Sequence, residues 1–206
     1  MTYEEVFTIN ITNVCELVAS VSSQTNIACY GGSTGSATIT VSGGSPSYTY
    51  SWSPSGGTAA TAMGLTAGNY TCSVTDANGC TTTRLVTITQ PPALVASVSS
   101  QTNIACYGGS TGSATITVSG GSPTYTYAWS PSGGTAATAA GLTAGNYTCT
   151  VTDTNGCTAT QTVTITQPPS ISISSSSQTN IACFGGSNGS ASVGTPTGGA
   201  GSYTYS

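Results

Sequence analysis

The side chains here that could serve as nucleophile, metal ligand or general acid and base are few. They are eight cysteines and the carboxylates Glu4, Glu5, Glu16, Asp76 and Asp153. There is no histidine, and Arg84 is the single basic residue. Without imidazole, neither a Ser-His-Asp nor a Cys-His nucleophile system can be assembled. Five scattered carboxylates do not supply an acid–base pair for each part of the chain. The cysteines are 8 and 43 positions apart, which does not match the paired knuckles of zinc sites. Asp76 and Asn78 offer one carboxylate to a turn, far short of the six to eight oxygens calcium takes, and so read as turn chemistry. One arginine cannot neutralise a run of phosphates, so a nucleic-acid partner is excluded. No enzyme, cofactor or metal is expected. The chemistry that remains open to these residues is disulfide formation.

Placing the cysteines begins with a repeat. Residues 17–29 return almost letter for letter at 94–106, 77 positions on, and Cys72 and Cys80 return as Cys149 and Cys157. A third copy starts at Ser170 and passes Cys183. The expected division is a last strand of a preceding repeat at 1–15, repeat 1 at 16–92, repeat 2 at 93–169, and the first half of repeat 3 at 170–206. Paired prolines, Pro91-Pro92 and Pro168-Pro169, punctuate the joints and make short, semi-rigid connectors, favouring an extended array. Residues 1–13 align only with a last strand and 170–206 only with half a unit. Both ends are therefore expected to be completed by neighbouring chain or neighbouring copies. Phe7, Ile9 and Ile11 alternate with polar residues, so this segment could be donated as a strand; a crop from a longer array fits better, since the C-terminal half lacks more than one strand.

Within a repeat the apolar period is two, and no helical period occurs. Residues 17–23 read as a strand. Ala37, Ile39 and Val41 face inward on the next, and Gly43-Gly44-Ser45-Pro46 turns the chain. Tyr48, Tyr50 and Trp52 form an aromatic face, expected in the core. Residues 58–64 hold one or two short strands. A corner at 65–70 leads into Tyr70, Cys72 and Val74 on one face, with Tyr70 placed like the tyrosine of a sandwich corner. Asp76-Ala77-Asn78-Gly79 is a tight turn suited to positive φ, and Val86 and Ile88 point inward on the last strand. These features predict an all-β chain of tandem immunoglobulin-like β-sandwiches.

Three cysteines per full repeat leave at least one odd. Pairing of Cys72 with a second-strand cysteine fails, because that strand presents Ala37, Ile39 and Val41. In the 76–79 hairpin, Thr75 is expected opposite Cys80 and Cys72 opposite Thr83, which puts Cys72 and Cys80 out of register. That leaves Cys29 with Cys80 and Cys106 with Cys157. Cys72 and Cys149 are expected to be buried free thiols, small hydrophobes in the core. Cys183 would take a partner beyond Ser206, and Cys15, at a joint, has no evident partner. Disulfides point to an oxidising setting outside the cell.

With these residues in hand, the chain resembles the SprB repeats of Bacteroidota surface proteins, known from a gliding-motility adhesin. The resemblance rests on Cys29-Tyr-Gly-Gly-Ser-Thr-Gly-Ser-Ala37, on Gly43-Gly44 with Tyr48-Thr-Tyr-Ser-Trp52, and on Gly64-Leu-Thr-Ala-Gly-Asn-Tyr70. It continues through Asp76-Ala-Asn-Gly-Cys80 and Val86-Thr-Ile-Thr-Gln-Pro91. It implies a secreted, cell-surface or filamentous protein using the repeat as spacer or adhesive stalk, and the pairing of Cys29 with Cys80. The resemblance also implies an aliphatic residue where Cys72 and Cys149 stand. The expected function is a structural, non-catalytic segment of an extracellular fibre or stalk. The alternative is an adhesin module binding glycan or surfaces, with Trp52, Tyr48 and Tyr50 stacking on sugar if exposed, which loss of glycan binding on Trp129→Ala would support. Asn10, Asn69, Asn146 and Asn188 head N-x-S/T triplets and are candidate glycan acceptors, as are the abundant Ser and Thr hydroxyls. The expected partners are copies of itself, adjacent repeats and covalent glycans. No apolar run reaches the length of a membrane span.

Overall fold

A computed structural model describes residues 15–174 and 176–206. Every regular element among them is a strand. The chain divides into two compact units, Met1–Pro92 and Ala93–Ser206. The readings made for residues 1–13, Asn10 among them, lie outside the described residues.

Among its described residues the first unit has six strands: β1 (Val18–Thr25), β2 (Gly35–Ser42), β3 (Thr49–Ser53), β4 (Thr61–Leu65), β5 (Gly68–Thr75) and β6 (Thr81–Ile88). They form two antiparallel three-stranded sheets, β1-β2-β4 and β3-β5-β6. The weakly patterned stretch after Trp52 holds one strand, β4. Alternation decides which faces meet. Ala19, Ala37, Ile39, Ala62 and Leu65 from one sheet pack on Trp52, Tyr70, Cys72, Val74, Val86 and Ile88 from the other, while Val41, Tyr48 and Tyr50 are half-buried at the margin. Removing a side chain such as Ile39, Leu65 or Ile88 from water contributes about 1.5–3 kcal/mol each. The opposite faces carry mainly Ser and Thr, as with the Thr38–Thr61 hydroxyl pair at 3.0 Å.

Two glycines are required by close approach. A Cβ on Gly35 would lie 2.7 Å from both the Ile88 Cγ2 and the Leu65 carbonyl oxygen. Gly43, at φ +71°, would put a Cβ 1.8 Å from the Glu16 carbonyl oxygen. The second contact holds the incoming chain against the β2–β3 turn. Each unit thus has a leading end, where the chain comes in beside the β2–β3 and β5–β6 turns. It also has a trailing end, where β6 leaves beside the β1–β2 connection. At the trailing end Ile27 N–H donates to the Thr89 carbonyl at 2.9 Å, and Gly31 N–H donates to Gln90 Oε1 at 2.8 Å.

The second unit repeats this plan with β7 (Val95–Thr102), β8 (Gly112–Ser119), β9 (Thr126–Ser130), β10 (Thr138–Leu142), β11 (Gly145–Thr152) and β12 (Thr158–Ile165). Its sheets are β10-β8-β7 and β12-β11-β9. The unit also contains β13 (Ser172–Ile173), β14 (Ser177–Thr179), β15 (Ser190–Ser192) and β16 (Pro196–Thr197), paired as β13-β16 and β14-β15. In this third segment Ile171, Ile173, Ile181 and Val193 are all exposed, because no second sheet covers them. The whole is an all-β chain of tandem immunoglobulin-like sandwiches with a period of 77.

Candidate functional site

The residues singled out for chemistry gather at the two ends of the repeat, and the leading end is the more elaborate. Asp76 is only 6% exposed. Its Oδ2 accepts the Ser45 N–H at 2.8 Å, and its Oδ1 accepts the N–H groups of Asn78 at 2.9 Å and Cys80 at 2.8 Å. The Asp76 N–H donates back to the Cys80 carbonyl at 3.0 Å, and the Gly79 N–H to the Asp76 carbonyl at 3.1 Å. One carboxylate therefore ties the β2–β3 turn to the β5–β6 turn. Asp153 repeats the arrangement, accepting from Ser122, Asn155 and Cys157 at 2.9 Å each. The Ser45 and Ser122 amides, followed by the other turn N–H groups, hold these carboxyls below their ordinary value of 3.8 against the opposing effect of burial. Because both oxygens are occupied by N–H donors, neither aspartate is offered to a cation. Among the described residues no three or more His, Cys, Asp or Glu are grouped to hold a metal ion.

This turn is longer than its sequence suggests. Thr75 pairs with Thr81 and Cys72 with Arg84, instead of Thr75 with Cys80 and Cys72 with Thr83. The Asp76 bonds draw Cys80 into the loop, so the ladder starts one residue later. Cys72 and Cys80 remain out of register.

The disulfide pairing differs from the expectation. Cys80 is bonded to Cys15, with Cα atoms 5.8 Å apart. Cys29–Cys80 is therefore wrong, and so is Cys106–Cys157, since Cys106 is a free thiol. The physical reason is the length of a strand. Cys29 lies at the trailing end, where its carbonyl accepts the Gly32 N–H at 3.1 Å, whereas Cys80 lies at the leading end. The eight residues of β6 separate the two ends by roughly 25 Å. A disulfide tolerates a Cα separation of roughly 4.4–6.8 Å. Cys15 lies where the leading end receives the chain, just before β1. A sequence signal for it existed: it stands beside Glu16, immediately ahead of a strand whose start adjoins the turns.

Cys72 and Cys149 are fully buried free thiols. Burial pushes both thiols up from their ordinary value, so neither is a nucleophile at neutral pH. Trp52 and Trp129 are core residues; their indole N–H groups donate to the Ala59 and Ala136 carbonyls at 2.9 and 3.0 Å. That placement removes the face with which they would stack on sugar. The Tyr70 hydroxyl closes the corner on Thr66, 3.1 Å from its carbonyl, and Tyr147 does the same with Thr143. Asn69 and Asn146 are exposed on β5 and β11, each accepting a strand threonine hydroxyl, from Thr87 and Thr164 respectively. Asn188 is exposed in the third segment.

The SprB repeat profile matches residues 21–57, 98–134 and 175–206, together just over half of the chain. The chain belongs to the SprB repeat family. Each match covers the first strands of a repeat and the Cys-x-Gly-Gly loop between them, the trailing-end loop described above. Among solved structures, the three N-terminal domains of the bacteriophage RB49 highly immunogenic outer capsid protein align at 16% identity. That alignment covers 90% of this chain and 70% of that one, with a TM-score of 0.46. A C-terminal intimin fragment, solved with the intimin-binding domain of its translocated receptor, aligns at 16% identity over 76% of this chain and 65% of that one, TM-score 0.37. A Bacteroides ovatus protein, SGBP-B of a mixed-linkage glucan utilization locus, solved with a heptasaccharide, aligns at 13% identity over 83% and 75%, TM-score 0.21. At these values nothing about ligands or partners passes to the SprB repeats. No curated protein sequence matches the chain.

Proposed function

We propose that these SprB repeats are a structural, non-catalytic segment of an extracellular fibre or cell-surface stalk. The observation that carries this reading is the construction of the repeat itself. Each complete unit closes its apolar side chains between two sheets, takes the chain in at one end and releases it at the other. Its faces are covered with hydroxyls, its turn aspartate, Asp76 or Asp153, is bonded to backbone N–H groups, and its strand thiol, Cys72 or Cys149, is buried. Such a unit can be added in series, and its described residues gather no metal-holding group of His, Cys, Asp or Glu. The Cys15–Cys80 bridge suits an oxidising compartment, outside the cytosol. Its partners are then adjacent repeats or copies of itself.

Addition of further 77-residue repeats tests the reading by sedimentation velocity. A stalk raises the frictional ratio with every repeat; a ratio that stays constant as repeats are added contradicts it. Glycan on Asn69, Asn146, Asn188 or the hydroxyl faces belongs to the same proposal. Intact mass of the secreted protein decides that part: an excess of hundreds of daltons supports a sugar coat, and a mass at or just below that of the polypeptide removes it.

A further inference from the structure

Each complete repeat carries one free thiol in its core, eight residues ahead of a cysteine that is disulfide-bonded. Cys72 precedes Cys80 at that spacing, and Cys149 precedes Cys157. In the first repeat the bonded partner of Cys80 is Cys15. A thiol, and a disulfide within reach of it along the chain, are the two reactants of thiol–disulfide exchange.

The folded repeat holds these reactants apart in two ways. Cys72 is on the inward face of β5, fully buried among the apolar side chains between the sheets. It sits in the ladder between Trp52 of β3 and Arg84 of β6. Burial, opposed by a backbone bond at Ser51, pushes its thiol above the ordinary value, so the thiolate that exchange requires is suppressed. Register supplies the second barrier. Thr75 pairs with Thr81, so Cys72 lies three residues down β5 from the turn that holds Cys80, roughly 10 Å along the strand. A disulfide tolerates a Cα separation of roughly 4.4–6.8 Å. Unfolding removes both barriers together, because the thiol then meets water and only a short flexible loop separates it from the bridge.

We propose that Cys72 is a latent nucleophile: when the first repeat unfolds, it attacks the Cys15–Cys80 bridge and replaces it with Cys72–Cys80. The Cys72 thiolate sulfur bonds the Cys80 sulfur, and the bond from Cys80 to Cys15 breaks. Its electron pair leaves on the Cys15 sulfur, which takes up a proton. One disulfide is lost and one gained, so no outside oxidant or reductant enters. Loop length sets the direction. In an unfolded chain, closing 8 residues in place of 65 is favoured about 20-fold. Attack on Cys15 would close 57 residues, little better than the starting loop. The product does not fit the β5–β6 register, so an exchanged repeat does not regain its native ladder. This inference is independent of the stalk reading, since heat or denaturant triggers the exchange as tension does. In a pulled chain it turns a bridge that holds 65 residues into one that holds 8.

The full chain, secreted into an oxidising compartment with Cys149→Val, is the sample. Iodoacetamide on the folded protein blocks the exposed Cys106 and Cys183 and leaves Cys72 as the remaining free thiol. The chain is then held in urea at pH 8 without reductant, capped with N-ethylmaleimide, digested with pepsin and mapped by mass. Exchange over minutes to hours should leave Cys72 linked to Cys80 and maleimide on Cys15, exceeding the original Cys15–Cys80 link by about 20 to 1. The same chain held folded at pH 8, or unfolded at pH 5 where the thiol is protonated, should keep Cys15–Cys80. Cys72→Ala should keep it in urea at pH 8 as well. Cys15–Cys80 still predominant after a day unfolded at pH 8 overturns the proposal. So does a main product that links Cys72 to any cysteine other than Cys80.

Discussion

Removal of the Cys15–Cys80 bridge, by the double substitution Cys15→Ser/Cys80→Ser, is the most quantitative perturbation of this chain. The bridge closes 65 residues of sequence. In the chain-entropy description, freeing a loop of that length returns about 14 cal/mol/K to the unfolded state, or about 4 kcal/mol at 25 °C. A domain of this size has a total stability of about 5–15 kcal/mol, so a large share is at stake. With a urea slope of about 1.3 kcal/mol/M, the midpoint should fall by about 3 M. Each complete repeat has one buried tryptophan, Trp52 in the first and Trp129 in the second. In a Trp129→Phe background, Trp52 fluorescence therefore reports the first repeat alone, and the converse background reports the second. The substitution should lower the first transition and leave the second within about 0.5 M, since additivity holds for distant sites. An unchanged Trp52 midpoint would refute the assignment of the bridge as a stabiliser of the first repeat.

Other outcomes follow from the same geometry. The carboxyls of Asp76 and Asp153 lie below 3.8 in the folded chain, so their ionised forms are favoured by folding. Their stabilisation is fully present above that value and is lost as pH falls through the lower folded value. Melting temperature should stay level from pH 7 to pH 5 and drop below about pH 4, and Asp76→Asn with Asp153→Asn should flatten that drop. Ellman's reagent on the native chain should label Cys106 and Cys183 within minutes and reach Cys72 and Cys149 only after unfolding, as their burial requires. Trp52→Ala should cost about 3–5 kcal/mol by leaving a cavity between the sheets, whereas Tyr30→Ala, on an exposed ring, should leave the melt unchanged.

Much of the fold was legible because its determinants are local. Alternation assigned the inward faces of β2, β5 and β6, and Tyr70 announced the corner that its hydroxyl closes on Thr66. Burial of Cys72 followed from the same alternation. What was not legible involves residues distant in sequence. Asp76 reads as a turn former; its bond to Ser45, 31 residues away, needs the two turns to share an end. The disulfide error had a related cause. Hairpin register keeps Cys72 from Cys80, but it carries no information about a partner outside the repeat. Cys15 aligns with Pro92, so the period conceals it, and alternation along strands says nothing about which end of a sandwich a loop occupies. Trp52 was legible as a core residue from the alternation of Tyr48, Tyr50 and Trp52 with Thr49 and Ser51, and its indole bond to Ala59 could only come from the fold.

Each complete SprB repeat is a closed sandwich, and the Cys15–Cys80 bridge shields most of the first one from tension. Pulling the chain end to end with an atomic force microscope addresses that claim most directly. In reductant, the two complete repeats should give two equal lengthening steps, each near 25 nm for about 77 residues extended at about 3.5 Å apiece. Without reductant, the step of the first repeat should vanish, because Cys15–Cys80 holds its 65 residues. Smooth extension with no steps in reductant, or a full-length step from the first repeat in the oxidised chain, would contradict it.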